Sequence, residues 1–331
     1  MKSTVNWPVE IAAVGSYLPK RVLTNHDLAK MVDTSDDWIT QRTGIKERRI
    51  AAPEESTSSM AIRAGRLALR RAKLNAKAVD LLIVATCTPD YSFPATACLV
   101  QAALGARKAM CFDLEAACSG FLFGLSQAAA MINGGMARNA LVIGAETLSR
   151  ITDYTDRRSC ILFGDGAGAA VLTRSRNGGE MLFCEMGCDG SRPEILRVPA
   201  GGSRCPTSEQ TVRDRQHYMH LEGREVFKVA VNKLGELLTR LPKETGVSLD
   251  DIKLIVPHQS NKRIIQSMCE RRAIPPEKAF VNIDRVGNTS AASIPIALDE
   301  VVKRGLIERG DLVLLLAFGG GLTWGSMLLR Y

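Results

Sequence analysis

The sequence predicts an α/β protein built of two related halves fused in one chain of 331 residues. Three observations lead there. Short apolar runs of strand length alternate with longer helical stretches, the pattern of βαβ units in largely parallel sheets covered by helices. Strings in the first half return in the same order in the second. Glycines stand where helices of both halves should stop, as a left-handed C-terminal residue requires.

Each expected element has a counterpart. The opening strands are 10–15 and 180–187, and the next are 80–85 and 252–257. A further pair, 110–114 and 280–284, leads into helices that begin at Cys118 and Asn288. The same 17-residue interval separates Cys118 from Gly135 and Asn288 from Gly305, so Cys118 and Asn288 read as counterparts. Strands follow at 140–144 and 311–316, and glycine-rich strand pairs close the halves at 163–174 and 318–330. The halves are expected at 1–178 and 179–331. Two stretches interrupt the plan: 25–55, polar and carrying Trp38, and 189–221, rich in Gly, Pro, Arg and Ser. Residues 225–241 return to apolar positions at helical spacing and should cover a core. No repeat of 20–50 residues is visible.

Composition is that of an ordinary globular protein, 46% hydrophobic and 24% charged. The N-terminus has no apolar stretch with a small-residue cleavage site, and the longest apolar run, 312–318, is too short to span a membrane. A cytoplasmic location without a membrane span is therefore expected. The nine cysteines form no C-x-x-C pair, so most read as buried small hydrophobes in a reducing compartment, with no metal site. The net charge of +8 favours acidic partners, yet no nucleic-acid-binding pattern accompanies it.

Three residues stand in chemically informative settings. Cys118 follows a strand and opens an apolar helix, where unpaired N–H groups and the helix dipole favour a thiolate. His258 ends the strand expected at 252–257, and ligands of parallel α/β sheets gather beyond strand carboxyl ends. Asn288 alone reads equally as a turn or helix-cap residue, and the duplication sets it opposite Cys118. Residues 164–168 imitate a dinucleotide loop, but a strand follows where that loop needs a helix, so they read as a turn between paired strands.

Together the strings 117–121, 258–261, 287–293 and 318–325 resemble the thiolase-like condensing enzymes, and most closely the β-ketoacyl-acyl-carrier-protein synthase III family. The resemblance runs from about residue 9 to the C-terminus. Ser260 departs from it, standing where the family usually has Ala. It implies a thiolase-like duplicated five-layered αβαβα fold. It also implies an acyltransferase that moves an acyl group, acetyl by expectation, from coenzyme A to Cys118. Condensation with malonyl-acyl-carrier protein then begins fatty acid synthesis. His258 and Asn288 would stabilise the enolate, and the amides of Cys118 and Gly321 the oxyanion. No cofactor is called for, coenzyme A being part of a substrate. A thiolase would carry a second cysteine in 319–325, which has none. Hydroxymethylglutaryl-coenzyme A synthase needs a Glu in the stretch matching 84–90, which has none either. The carrier-primed elongating synthases use two histidines in place of His and Asn.

The resemblance further implies that Trp38, Arg42 and Arg157 line the coenzyme A entrance, the indole and the Arg157 guanidinium enclosing the adenine, with Thr34 and Asn261 as polar contacts. Lys262, Arg263 and Arg271, with Arg272 beside them, would dock the acidic carrier protein. Phe93 would reach the acyl pocket of a partner subunit in a homodimer. The alternative within the same fold is acyl transfer or condensation in a specialised secondary pathway.

Overall fold

The computed structural model describes residues 4–175 and 178–331. The first half supplies β1 (Thr4–Trp7), β2 (Val9–Tyr17), β3 (Arg21–Thr24), α1 (Asn25–Leu28), α2 (Asp36–Thr43) and β4 (Glu47–Ile50). After these come α3 (Thr57–Arg71), β5 (Leu81–Ala85), α4 (Thr96–Leu104), β6 (Met110–Leu114), α5 (Gly120–Asn133), β7 (Asn139–Glu146) and β8 (Gly166–Arg174). The second half continues with β9 (Glu180–Cys188), β10 (Leu196–Arg197), α6 (Glu209–Arg213), β11 (His220–Leu221) and α7 (Gly223–Thr245). It ends with β12 (Leu254–Pro257), α8 (Lys262–Arg271), α9 (Ile283–Val286), α10 (Ser293–Lys303), β13 (Leu312–Gly319) and β14 (Thr323–Arg330).

Two five-stranded sheets carry the fold, in the orders β2-β8-β7-β5-β6 and β1-β9-β14-β13-β12. Both are mixed, where the helix alternation alone suggested largely parallel ones. Only β5–β6, β5–β7 and β12–β13 pair in parallel, because the glycine-rich segments run antiparallel to the strands before them. Residues 318–330 do form a strand pair across a tight turn, whereas 163–174 supply the single strand β8, whose partner β7 lies before a long connection. Thr4–Trp7 precedes residue 178 in sequence yet pairs with β9, so one strand of the first half sits in the second sheet.

Three hydrophobic cores stack the layers. α5 and α10 lie between the sheets: Phe121, Leu122 and Leu125 share one core with Ile294, Leu298, Val142 and Leu315. Sheets on both sides explain why α5 is apolar nearly all round. Each of these fully buried side chains contributes roughly 1.5–3 kcal/mol. On the outer face of the first sheet, Met60, Ala64 and Ala68 of α3 and Val100 of α4 cover Leu82 and Ile143. On the outer face of the second, Leu234, Leu238 and Leu241 of α7 join Ile264 and Met268 of α8 over Leu314 and Leu316. The result is the five-layered αβαβα arrangement of a thiolase-like fold. No helix among the described residues is long and apolar enough to cross a membrane.

Two sequence expectations change. Residues 280–284 form no strand; Ala279 makes one isolated bridge with Ile255, and the chain then turns into α9. The helices are also offset. Ala117 and Ser290 each begin a 3-10 turn with φ of +44° and +47°, and those turns run directly into α5 of 14 residues and α10 of 11. The structural counterpart of Cys118 is therefore Ala291, and Asn288 lies in the extended lead-in. The equal intervals to Gly135 and Gly305 conceal helices of different length.

Candidate active site

Cys118 sits in the 3-10 turn between β6 and α5, packed under the β13–β14 corner. A Cβ on Gly319 would stand 2.7 Å from the Cys118 nitrogen and 3.1 Å from its Cβ, so this approach requires glycine. Thr323 Oγ1 donates to the Ala116 carbonyl at 2.8 Å and ties the same corner to the turn. The amides that meet the Cys118 sulfur are its own and that of Gly320, one residue before the Gly321 expected from the sequence. Gly321 instead takes φ +125°. Burial pushes the thiol up to about 11 despite the Ser290 hydroxyl and those two amides. The expected thiolate-favouring helix terminus is thus outweighed by desolvation.

His258 follows β12, its N–H bonded to the Leu316 carbonyl at 2.7 Å. The next residue, Gln259, donates its N–H to Ser293 Oγ at 2.7 Å, locking this corner to the start of α10. The Gln259 side chain donates to the Phe280 carbonyl and accepts from the Asn282 N–H, holding the stretch expected as a strand. His258 is 6% exposed, and neither ring nitrogen has a partner among the described residues. Burial lowers its pKa to about 3, so the imidazole is neutral.

Asn288 is clamped through its backbone, donating to the Leu162 carbonyl and accepting from the Gly164 N–H, each at 2.9 Å. Residues 162–164 thus support Asn288, and the stretch 164–168, expected as a turn between paired strands, instead leads from that support into β8. Its Oδ1 accepts the Ser290 N–H at 2.9 Å, which leaves Nδ2 as the donating end. The 288–293 turn meets all three expected residues: Asn288 opens it, Ser290 faces Cys118, and Ser293 holds the His258–Gln259 corner.

One neighbour was not foreseen. Glu146, at the end of β7 and fully buried, faces the 86–88 stretch and the Ser290 hydroxyl. The parallel pairing of β5 with β7 brings it there, to a stretch without a Glu of its own. A charged residue closing an otherwise apolar strand was the available signal.

The outlying residues fall in two groups. Trp38 lies in α2 with the Arg42 guanidinium 4.4 Å and that of Arg157 5.3 Å from its ring centroid. Arg157 also bonds the Asp33 carbonyl and carboxylate. Thr34 Oγ1, just ahead of α2, is buried without a partner among the described residues, and Asn261 bridges the Arg42 carbonyl and the Arg263 N–H at the start of α8. The insertion bearing Trp38 is anchored by Arg48, fully buried and bonded to Leu23, Asn25 and Ile161. Lys262 and Arg263 are exposed on α8 beside a cleft of about 590 Å³ shared with Gln41 and Lys46. Arg271 and Arg272 are instead tied to Asn232 and the Gly235 carbonyl of α7. Phe93 is 89% exposed on the loop between β5 and α4. The expectation of mostly buried cysteines does not hold: only Cys160 and Cys269 are buried, and Cys98 and Cys188 are exposed.

Comparison with known proteins agrees with this geometry. Residues 112–190 match the family model for 3-oxoacyl-[acyl-carrier-protein (ACP)] synthase III, and residues 243–331 match the model for its C-terminal part. The chain is 50% identical over 321 residues, 97% of each protein, to the β-ketoacyl-[acyl-carrier-protein] synthase III of Caldanaerobacter subterraneus subsp. tengcongensis. It superposes on the crystal structure of 3-oxoacyl-[acyl-carrier-protein] synthase III from Aquifex aeolicus with a TM-score of 0.91 and 51% identity, covering 98% of this chain and 100% of that one. The priming β-ketosynthase of the R1128 polyketide pathway is similar in shape, with a TM-score of 0.90 over 99% of this chain and 98% of that one, at 33% identity. With this identity over nearly its whole length, the chain belongs to the β-ketoacyl-[acyl-carrier-protein] synthase III family of thiolase-like acyltransferases.

Proposed function

We propose that this chain joins an acyl group from acyl-coenzyme A to malonyl-acyl-carrier protein by decarboxylative condensation, beginning fatty acid synthesis, with Cys118, His258 and Asn288 as its catalytic residues. The observation that carries this assignment is His258: a buried, neutral imidazole neither of whose ring nitrogens has a partner among the described residues. Buried polar atoms are nearly always satisfied, so a pair left free marks where a substrate binds.

In the first half-reaction, Cys118 sulfur attacks the thioester carbonyl and the carbon–sulfur bond to coenzyme A breaks. The thiol proton leaves with the coenzyme A sulfur. Oxyanion charge is met by the Cys118 amide and, in place of Gly321, the Gly320 amide, both of which already face the sulfur. In the second, malonyl-carrier protein loses carbon dioxide, and the carbon–carbon electron pair becomes an enolate. No base is needed. A neutral His258 N–H and the Asn288 Nδ2–H donate to the enolate oxygen, each worth roughly 3 kcal/mol of barrier. The enolate carbon then attacks the acyl-cysteine, the carbon–sulfur bond breaks, and the Cys118 thiolate recovers a proton from solvent.

Arg157 stacks on Trp38 at 5.3 Å, closer than the two contacts of about 3.5 Å that an inserted adenine needs. Arg157 must therefore swing away from the indole to admit the base. Lys262 and Arg263, exposed on α8, are the cations proposed to meet the carrier protein, while Arg271 and Arg272 brace α8. The exposure of Phe93 supports a homodimer in which it enters the partner's acyl pocket, and a division into halves at residue 178 accords with the duplicated sheets.

Intact mass spectrometry after incubation with short, branched and longer acyl-coenzyme A thioesters tests the reading. One acyl adduct, absent from Cys118→Ala and discharged by malonyl-carrier protein with release of carbon dioxide, is the expected result. An unlabelled wild-type chain would overturn it.

A further inference from the structure

Glu146 is a buried carboxyl to which the proposed mechanism gives no part, and its surroundings are unusually ordered. Thr86 Oγ1 donates to it at 3.2 Å, and Thr88 Oγ1 donates as well. The Cys87 N–H donates at 3.2 Å and the Cys87 thiol at 3.3 Å. Each threonine hydroxyl already accepts a backbone N–H, Thr86 from Thr88 and Thr88 from Thr147. Their single protons are therefore turned toward the carboxyl. Four donors converge on Glu146 and, among the described residues, no cation is bonded to it; burial raises its pKa and these hydrogen bonds oppose that by favouring the carboxylate. Cys87 and Cys118 are the titratable side chains facing it.

The Ser290 hydroxyl stands between this carboxylate and the Cys118 sulfur and also lies 4.0 Å from the Cys87 sulfur. It has one proton to give and two acceptors that want it. Its place is set by the left-handed backbone at φ +47° and by the N–H bond to Asn288 Oδ1.

Resting on the assignment of Cys118 as nucleophile, we propose that Glu146 is a positioning residue for Cys118, acting through Ser290 by competing for its hydroxyl proton and by holding the 86–88 stretch against the reaction centre. Glu146 is one of the groups that keep the free thiol protonated, and Ser290 opposes it. The sulfur is thereby quiet until a substrate arrives.

The test uses no substrate, so it stands or fails apart from the acylation experiment. Cys118 is alkylated with iodoacetamide between pH 7 and 10.5 and followed peptide by peptide by mass spectrometry, with exposed Cys98 and Cys188 as internal standards. Glu146→Gln should speed Cys118 alkylation by about tenfold at each pH from 7 to 9, the effect of one pKa unit. Ser290→Ala should slow it across the same range, and Glu146→Asp should return part way to wild type. Cys98 and Cys188 rates should not change. A folded Glu146→Gln protein with a wild-type Cys118 profile would overturn the proposal, since a purely structural carboxylate would lower the melting temperature alone. If Glu146→Gln does not fold, an unchanged Cys118 profile in Ser290→Ala overturns it equally.

Discussion

The Ser290 N–H donates to Asn288 Oδ1 at 2.9 Å, and this one bond decides which end of the Asn288 amide is left to donate. Oδ1 is occupied, so Nδ2 is the donor. Asn288→Asp keeps the acceptor and nearly the same shape while removing the N–H. Condensation should fall by about 10²–10³-fold, the usual cost of one such donor. The acyl adduct on Cys118 should still form at close to the wild-type rate. Comparing adduct formation by mass spectrometry with release of carbon dioxide from malonyl-carrier protein measures the two steps separately.

The pH dependence of stability follows from His258. Its folded pKa, about 3, lies below the ordinary 6.5 because the imidazole is buried. The unfolded chain therefore binds a proton first as pH falls. The stability due to the neutral buried ring is present above 6.5 and is lost toward 3, by roughly 1.4 kcal/mol per unit. His258→Gln lacks this term. Between pH 6.5 and 5 its stability should gain on wild type by about 2 kcal/mol, measured by urea unfolding of both proteins at each pH.

Cys118 gives the opposite limb. Burial raises its pKa from 9.0 to about 11, so the thiol form stabilises the fold below 9 and that contribution is lost as pH rises toward 11. In the free chain, alkylation of Cys118 should climb about tenfold per unit from pH 5.5 to 10. With His258 neutral throughout, that profile should carry no inflection near 6.5. An inflection there would mean that the imidazole titrates and assists the thiol.

Much of this was legible in the sequence, and the failures share a cause. The strings around Cys118 and His258 stand out because each follows a strand, and strand ends are visible as the limits of apolar runs; Asn288 follows the short helix α9 and stood out through the duplication instead. The pairing of Cys118 with Asn288 failed because glycine stops report where helices end and not where they begin. The left-handed Ala117 and Ser290, which mark the true beginnings, carry no compositional signal. Glu146 escaped because the stretch it serves belongs to β5 and the carboxyl arrives from β7, a neighbour set by sheet order. Gly320 and Gly321 are indistinguishable as letters. Only the fold of the β13–β14 corner shows which amide faces the sulfur.

That corner makes a contrast between adjacent glycines. A Cβ at 319 would strike the Cys118 backbone nitrogen at 2.7 Å, whereas one at 320 meets the Leu196 side chain at 3.2 Å, which can yield. Gly319→Ala should therefore shift the Cys118 turn, cost about 1–3 kcal/mol as overpacking does, and abolish acylation. Gly320→Ala keeps its N–H and should fold and acylate with a smaller loss. Thermal melting and adduct formation on the two variants test this, and equal damage from both would contradict the one-sided contact.

The last prediction concerns Trp38. In the free chain its ring is covered by Arg42 and by Arg157, which Asp33 holds. Removing the indole takes away the surface on which an adenine would stack, and cation–π contacts of this exposed kind are worth roughly 0.5–1 kcal/mol each. Trp38→Ala should raise KM for acyl-coenzyme A several-fold to about tenfold while changing kcat little, because the lost contact serves ground state and transition state alike. A truncated thioester that lacks the nucleotide should show no such change. Asp33→Ala should act in the other direction, since it frees Arg157 to leave the indole and removes a competing anion from the entrance. If the truncated thioester suffers as much as the full one in Trp38→Ala, then Trp38 supports the fold of the insertion and does not bind the nucleotide.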